Sequence, residues 1–160
     1  SVVQAVDIPV IAAGGLYDGK SMLAAMILGA EGVQMGSRFV TTDESSSHRA
    51  FKNAVVEAGE GATTLTLKEL TPVRMMHNEL YQKLVTASQA GASKEELAEI
   101  LGRGRAKKGM FEGDLVEGEL EIGQISSMLT DIRPAKDVVD EIIERYKNAG
   151  GMKLGKRFEF

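Results

Sequence analysis

The 160-residue chain has 43% apolar residues for a core and 26% charged residues for a water-facing surface, which fits one ordinary domain. Its net charge of -4 and its lack of a basic stripe argue against nucleic acid as a partner, and the absence of cysteine excludes disulfides, thiolate metal ligands and cysteine nucleophiles. No apolar run approaches the ~20 residues of a membrane span, and the N-terminus lacks the basic region of a signal peptide, so we expect a cytoplasmic protein with no membrane partner.

The first quarter of the chain predicts two short strands that each end in a glycine turn. A strand at residues 9–13 runs into Gly14-Gly15, and a strand at residues 32–35 runs into Gly36-Ser37. One helix separates them, and a right-handed crossover makes such strands parallel neighbours. We therefore expect the two glycine turns, Gly14-Gly15 and Gly36-Ser37, to meet at one end of the sheet.

Converging glycine turns suit a phosphate group. Their backbone N–H groups are bare, and a side chain on either turn would block the approach of a dianion. Ser37 adds a hydroxyl donor at a predicted helix start, where the helix dipole favours an anion. The sequence thus predicts a phosphate site formed by Gly14, Gly15, Gly36 and Ser37; the alternative is that these residues only end strands.

The helix between the strands begins near Asp18 or Gly19 and ends at Gly29. Four of its apolar residues lie at helical spacing and predict one buried stripe: Met22, Leu23, Met26 and Ile27. On the second strand, alternation points one of Gln34 and Met35 into the fold and the other toward the helices. Which of these two approaches a ligand stays open, although core packing is favoured for Met35.

The middle of the chain predicts further helices and extended segments. The segment Thr41-Thr42-Asp43-Glu44 indicates a helix start with acidic residues in its first turn, and we expect Phe51 and Val55 to be buried before the helix ends near Ala58. Residues 63–67 alternate as a strand does, and residues 72–76 are extended. Two helices then follow with recognisable caps: 79–90 capped by Asn78, and 94–101 capped by Ser93 with Glu96 in a capping box.

The last third predicts a surface excursion followed by helices. Residues 102–123 are rich in glycine and charge, and we expect them to lie on the surface apart from a short helix near 105–111. A helix begins at Ile125, and Pro134 starts another. The apolar face of this last helix is formed by Val138, Val139, Ile142, Ile143 and Tyr146.

Two segments resemble a known family. The stretch IPVIAAGGLYDGKSMLAAMILGAEGVQMGSRF, with ESSSHRAFKNAVVEA after it, resembles the FMN-binding half of the nitronate monooxygenase (2-nitropropane dioxygenase) family. Within that family it is most similar to the flavin-dependent enoyl-acyl-carrier-protein reductases of the FabK type. A later segment, GELEIGQISSML followed by RPAKDVV, resembles the C-terminal helix pair of that subgroup. The resemblance covers residues 7–146.

The resemblance implies an α/β fold in which the chain is the C-terminal part of a (β/α)8 TIM barrel, namely its last two strands and a helical C-terminal region. It assigns residues 1–60 to the FMN-binding barrel, 61–123 to a helical segment and excursion packed on it, 124–150 to C-terminal helices and 151–160 to a tail. Two parallel strands cannot close a sheet, and a barrel of this class needs about 250 residues. We therefore expect a longer polypeptide whose upstream, N-terminal half completes the barrel.

The implied function is an FMN-dependent oxidoreductase. It would reduce the enoyl thioester double bond of acyl-carrier-protein with NADH or NADPH in fatty acid synthesis, as an expected homodimer. One alternative is a nitronate monooxygenase that oxidises a small nitronate with FMN and oxygen. Others are a non-catalytic phosphate- or nucleotide-binding fragment and a half-barrel that dimerises to complete itself.

Besides the two glycine turns, the expected FMN-binding residues are Gln34, Met35 and Gln124. Gln124 is included because the resemblance implies that Gly123-Gln124 closes over the flavin, although a plain helix N-terminus is the alternative. Arg38 either reinforces the phosphate site or pairs with an acid such as Glu44.

No catalytic residue is assigned within this chain. The family's catalytic histidine belongs to an upstream strand, so His48 and His77 are expected to be solvated or to cap helices. No cluster of His, Asp and Glu has the spacing of a metal site, and none is predicted.

Overall fold

The computed structural model describes residues 2–151, so residues 152–160 of the predicted tail lie outside the described residues. The helices and strands in chain order are α1 (Val2–Ala5), β1 (Ile11–Ala13), α2 (Gly19–Ile27), β2 (Gly32–Gln34), α3 (Ser37–Val40), α4 (Arg49–Val56), β3 (Thr63–Thr66), β4 (Val73–Met76), α5 (Glu79–Gln89), α6 (Lys94–Leu101) and α7 (Ala135–Gly150). A π-helical turn at Lys107–Phe111 and a 3-10 helix at Gln124–Met128 complete the set.

The first α/β unit has the predicted topology. β1 and β2 pair in parallel, with Ile11 opposite Gly32 and Ala13 opposite Gln34. α2 forms the crossover between them, and its N-terminus is fixed by Asp18, whose carboxylate accepts a hydrogen bond from the Ser21 amide at 2.8 Å. Because the strands are parallel, β1 and β2 both end at the same edge of the sheet. This brings the two glycine turns together, as predicted.

The prediction that α2 has a fully buried apolar stripe is wrong. Met22, Leu23 and Met26 are only half-buried, and Ile27 is 75% exposed. The helix packs closely on α7 at Gly19, where a Cβ atom would overlap the backbone nitrogen of Tyr146. Among the described residues, nothing buries Ile27, and the other three residues of the stripe are covered only in part.

Other large apolar side chains of this unit are exposed as well. On the segments around β1 and α2, the most exposed of them are Val2, Ile8, Ile11, Ile27 and Leu28, each more than half exposed. On α7, Val138 and Ile142 are buried as predicted, whereas Val139 and Ile143 are not. These exposed apolar side chains are the part of the unit that a further element would have to cover in order to bury them.

The second sheet is antiparallel and includes a segment that sequence reasoning placed on the surface. β3 and β4 form a hairpin with Thr63 opposite Met76. On the other edge of β4, the Met76 amide donates to the Leu120 carbonyl at 2.9 Å, and the Ile122 amide donates to the Arg74 carbonyl at 3.3 Å. The expectation of a surface excursion is therefore wrong for Leu120 and Ile122, which are both buried.

Backbone contacts explain why this glycine-rich segment is fixed. The Asn78 side-chain amide donates to the carbonyls of Leu115 and Gly118 at 3.0 and 2.7 Å. Gly109 and Gly118 approach so closely that a Cβ on Gly118 would overlap the backbone of Gly109. The glycines of this segment thus permit tight backbone packing.

Two apolar clusters form the core. The larger one contains Phe51, Val55, Met76, Leu120, Ile122 and Leu129. The smaller one, between the hairpin and α5, contains Leu67, Met75, Leu80 and Leu84. The larger cluster draws residues from each of the predicted segments 1–60, 61–123 and 124–150, and the boundaries between those segments stay a prediction.

The helix predicted from residues 41–44 begins later, at Arg49. His48 is its N-cap, and the His48 Nδ1 accepts a hydrogen bond from the Ala50 amide at 3.1 Å. Lys52 stabilises the turn at residues 42–45 that precedes this helix. Its buried ammonium donates to the carbonyls of Thr42 and Ser45 at 2.6 and 2.8 Å. This tertiary contact keeps the turn out of the helix.

Several local predictions are confirmed. Phe51 and Val55 are fully buried on α4. Asn78 caps α5, and Ser93 caps α6 with Glu96 completing the capping box. α7 follows Pro134, although the helix expected from Ile125 is only the short 3-10 helix.

Candidate phosphate site

The first glycine turn has a backbone that only glycine adopts readily. Gly14 and Gly15 have φ angles of 91° and 70°, in the left-handed region that disfavours other residues. They follow directly after Ala13, which lies opposite Gln34 in the sheet. Since Gly36 comes two residues after Gln34, the two turns lie side by side where the strands end.

Gly36 is a glycine for which the fold gives no reason. Its φ and ψ of -90° and -67° suit any L-residue, and a Cβ placed there meets nothing within 4 Å. Neither backbone strain nor packing among the described residues therefore demands glycine at this position. Open space at a strand end is what the close approach of a ligand to the backbone requires.

Ser37 begins α3, as predicted. The Gly36 carbonyl accepts the Phe39 amide at 2.9 Å and the Val40 amide at 3.2 Å. The first amides of a helix, here those of Ser37 and Arg38, have no carbonyl in a preceding turn to bind. These two amides lie next to the open space at Gly36, where they can donate hydrogen bonds to an anion.

The Gly123-Gln124 segment lies beside this turn. The Gly123 amide donates to the Ser37 hydroxyl at 3.2 Å, and a Cβ on Gly123 would stand only 2.7 Å from that oxygen. Gln124 begins the 3-10 helix and is exposed. The structure thus places Gln124 near the second glycine turn, and contact of its side chain with a flavin stays a prediction.

Gln34 and Met35 differ in burial as alternation predicts. Gln34 is exposed and Met35 is half-buried. Both lie at the end of β2 next to Gly36. Which of them approaches a ligand stays a prediction.

Arg38 forms a structural ion pair, with a different partner from the expected Glu44. Its Nη2 donates to the Asp131 carboxylate at 2.7 Å and its Nη1 to the Thr41 hydroxyl at 2.8 Å. The side chain is 6% exposed, and this burial lowers the pKa of Arg38 from its ordinary value, against the opposing effect of Asp131. Glu44 instead accepts the Ala135 amide at 2.8 Å, at the start of α7.

A shallow cavity of about 480 Å³, wide open to solvent, lies beside the second glycine turn. Gly36, Ser37 and Gly123 line it together with Arg74 on β4 and Glu121. Sequence reasoning missed these last two residues. No local pattern connects residue 74 with residue 36, because they meet only through the pairing of β4 with the 119–122 segment.

The two histidines have the roles expected of them. His48 caps α4, and the His77 ring stacks on Tyr81 with a centroid distance of 4.4 Å while its Nε2 lies 2.8 Å from the Thr64 hydroxyl. Both are exposed. Among residues 2–151, no three His, Asp or Glu side chains are grouped to bind a metal ion, and no helix is long and apolar enough to cross a bilayer.

Comparison with known proteins connects this arrangement with a flavoprotein family. The family model described as nitronate monooxygenase matches residues 1–145. The chain belongs to the nitronate monooxygenase family. This confirms the resemblance found in the sequence, and the members of this family and the FabK reductases use FMN.

Solved structures share the fold at moderate sequence identity. FabK from Thermotoga maritima superposes with a TM-score of 0.86 at 35% identity, covering 93% of this chain and 47% of that one. A nitroalkane oxidase from Streptomyces ansochromogenes gives a TM-score of 0.70 at 29% identity over 92% of this chain and 42% of that one. The α/β fold is therefore that of these neighbours, while the described residues contain no closed barrel.

Curated relatives bear two kinds of name. A Rhodococcus jostii protein is 32% identical over 89% of this chain and 51% of its own length, and it is named a dehydrogenase of a hydroxy-methyl-oxo-octahydroindene carboxyl-CoA. A Staphylococcus saprophyticus protein named probable nitronate monooxygenase is 44% identical over 52% of this chain and 24% of its own length. The chain thus spans about half the length of the Rhodococcus jostii relative.

Proposed function

We propose that this chain provides the FMN-phosphate site of an FMN-dependent enoyl-thioester reductase that uses NADH or NADPH, and that acyl-carrier-protein presents the substrate. The observation that supports the site most directly is at Gly36. This glycine stands in open space at the meeting of two parallel strand ends, where no backbone strain or packing accounts for it.

The two glycine turns have the donors that a phosphate needs. The amides of Gly15, Ser37 and Arg38 and the Ser37 hydroxyl are the groups proposed to bind it, with help from the positive end of α3. Gly14, Gly15 and Gly36 have no Cβ atom that would limit the approach. In this proposal Arg38 acts indirectly, because its guanidinium is bound to Asp131 and Thr41.

FMN, when bound, supplies hydride transfer from the reduced pyridine nucleotide to the thioester. The residues of this chain contribute position and electrostatics. They hold the phosphate at the strand ends, while Gln34, Met35 and Gln124 lie beside those ends. The proton donor and the rest of the substrate site are proposed to lie on other elements, since neither His48 nor His77 is placed for such a role.

The upstream half of the same barrel is the proposed partner of the exposed apolar side chains around β1 and α2. β1 and β2 each have one unpaired edge in the described residues, and Ile8, Ile11 and Ile27 beside them are more than half exposed. Further parallel strands and their helices would cover both features. We propose that this chain forms the last two strands of that barrel and functions in a homodimer.

The reductase is preferred to the monooxygenase for two reasons. The superposition with FabK is closer over the whole chain than that with the nitroalkane oxidase, with TM-scores of 0.86 and 0.70. A relative aligned over 89% of the chain is named for a CoA thioester substrate. A nitronate monooxygenase is the second candidate, because the family model and the staphylococcal relatives bear that name.

Anaerobic flavin spectroscopy on the full-length protein separates these functions. NADH should bleach the visible flavin absorption, and crotonyl-acyl-carrier-protein or crotonyl-CoA should restore it without oxygen. If crotonyl thioesters leave the reduced flavin unchanged, while a nitronate is consumed in air, the protein is a monooxygenase. A folded protein that retains no flavin would overturn both enzymatic functions in favour of a non-catalytic phosphate-binding protein.

A further inference from the structure

We infer that Arg74 is a further phosphate-binding residue of this site. Its guanidinium binds a phosphoryl group in the cavity beside Gly36 and Ser37, either that of FMN or that of a phosphorylated co-substrate. The inference rests on the proposed function and extends it to a residue on a different sheet, the β3–β4 hairpin.

The first observation is the position of Arg74. It lines the same open cavity as Gly36, Ser37 and Gly123. Its Nη1 donates to the carbonyl and the hydroxyl of Thr63 at 3.1 and 3.2 Å, which fixes the guanidinium against the neighbouring strand. A fixed, half-buried arginine loses little further conformational freedom when it binds an anion.

The second observation is that the charge of Arg74 is not neutralised. Among the seven arginines of residues 2–151, five form ion pairs with carboxylates: Arg38, Arg49, Arg105, Arg133 and Arg145. Arg74 forms none within this range. Arg103 forms none either, but it is exposed, whereas Arg74 is half-buried.

The guanidinium therefore has donors to spare. Its Nε and Nη2 groups donate to no acceptor in the described part of the chain. These donors are not among the buried unpartnered atoms of residues 2–151, so they remain accessible and can bind an anion from solution. A phosphate accepts two parallel hydrogen bonds from a guanidinium, which makes it a well-matched partner.

The carboxylate of Glu121 lines the same cavity but does not pair with Arg74 within 4.0 Å among the described residues. Glu121 lies opposite Met75 on the neighbouring strand, while the Ile122 amide is the group bound to the Arg74 carbonyl. Glu121 repels a phosphate, so the net attraction at this cavity depends on Arg74 together with the backbone amides of the second glycine turn.

Flavin binding tests the inference on the full-length apoprotein, with FMN and riboflavin as probes that differ only in the phosphate. Arg74→Gln should raise the Kd of FMN about 10- to 100-fold, the amount expected for loss of a hydrogen-bonded charge, and leave the Kd of riboflavin unchanged. Arg74→Lys should recover part of the loss. Arg49→Gln, at an exposed arginine on α4, is the matched control and should change neither value.

Thr63→Val separates binding from hairpin support. It removes the Thr63 hydroxyl but keeps the guanidinium and its hydrogen bond to the Thr63 carbonyl, so the ratio of FMN to riboflavin affinity should fall far less than in Arg74→Gln. If Arg74→Gln weakens FMN and riboflavin equally, Arg74 only supports the hairpin and the inference is overturned.

Steady-state kinetics identify the source of the phosphoryl group. An unchanged FMN Kd in Arg74→Gln with a raised KM for NADH or crotonyl-CoA, at unchanged kcat, would assign the phosphate to that co-substrate and support the inference. Unchanged flavin affinities together with unchanged KM values would overturn it. A wild-type apoprotein that binds neither flavin would contradict the proposed function itself, and the inference with it.

Discussion

The Gly123 amide donates a hydrogen bond to the Ser37 hydroxyl at 3.2 Å, although 86 positions separate the two residues in the chain. The bond joins the start of the 3-10 helix to the second glycine turn. It ties the two sequence segments that resemble the FMN-binding family to one another.

Replacement of Gly36 by valine should abolish flavin retention without unfolding the protein. Its backbone suits an L-residue and a Cβ meets nothing within 4 Å, so the side chain costs little in the apoprotein but occupies the space of the phosphate. The measurement is the flavin content of the purified protein together with its Tm.

Gly19→Val is the contrasting variant. There the Cβ would overlap the backbone where α2 packs on α7, so this change should lower the Tm strongly. For the Gly36→Val variant itself, a normal flavin content would show that the flavin phosphate does not bind at this turn.

Replacement of Gly123 by alanine should weaken FMN binding through Ser37. The new Cβ would stand 2.7 Å from the Ser37 oxygen, closer than atoms pack, so the hydroxyl or the 3-10 helix must shift. We expect about a tenfold rise in the FMN Kd, equivalent to the loss of one hydrogen bond in the site. Fluorescence titration of the apoprotein measures it, with Gly59→Ala, where the Cβ meets nothing within 4 Å, as the control. Equal affinities in the two variants would show that the contact does not position the site.

Replacement of Lys52 by methionine should destabilise the fold by about 3 kcal/mol. The Lys52 ammonium is buried and donates to the carbonyls of Thr42, Asp43 and Ser45. Methionine keeps the volume but leaves these acceptors without a donor, at about 1–3 kcal/mol for a buried one. Urea unfolding measures the loss, and the exposed Lys20→Met is the control. A loss below 1 kcal/mol would mean that water replaces the ammonium.

Asp114 should titrate far below an ordinary aspartate. The Glu117 amide, the Lys108 ammonium and the Val116 amide all stabilise the carboxylate, which lowers the pKa of Asp114 from 3.8 to about 2. Between pH 4 and pH 2 the unfolded chain therefore binds a proton that the folded chain does not, so stability falls as the pH falls through this window.

NMR titration of the Asp114 carboxyl carbon measures this pKa directly. Asp114→Asn should flatten the pH dependence of stability between pH 4 and pH 2. A titration midpoint near 4 would contradict the hydrogen bonds assigned to this side chain.

Local chemistry made part of this fold predictable. The caps at Asn78 and Ser93 depend on residues within three positions, and a single sequence contains that information. The glycine turns after β1 and β2 were predictable because a short crossover leaves one arrangement for the two strands. The residues of these two glycine turns also form most of the proposed phosphate site.

The other features depend on contacts between distant residues. Arg38 selects Asp131, 93 positions away, rather than the nearby Glu44. Leu120 and Ile122 are core residues only because their segment pairs with β4, and the same pairing brings Arg74 to the cavity. α4 starts at Arg49, after the His48 N-cap, instead of within residues 41–44, because Lys52 binds the carbonyls of that turn.

The absorption spectrum of the purified full-length protein, with chemical identification of any cofactor released on denaturation, tests whether the two glycine turns bind FMN. We expect the two visible bands of an oxidised flavin and the release of FMN, the flavin with a single phosphate, in about equal amount to the protein. A folded protein without flavin bands, or one that releases no phosphorylated flavin, would contradict the assignment of the two glycine turns as an FMN-phosphate site.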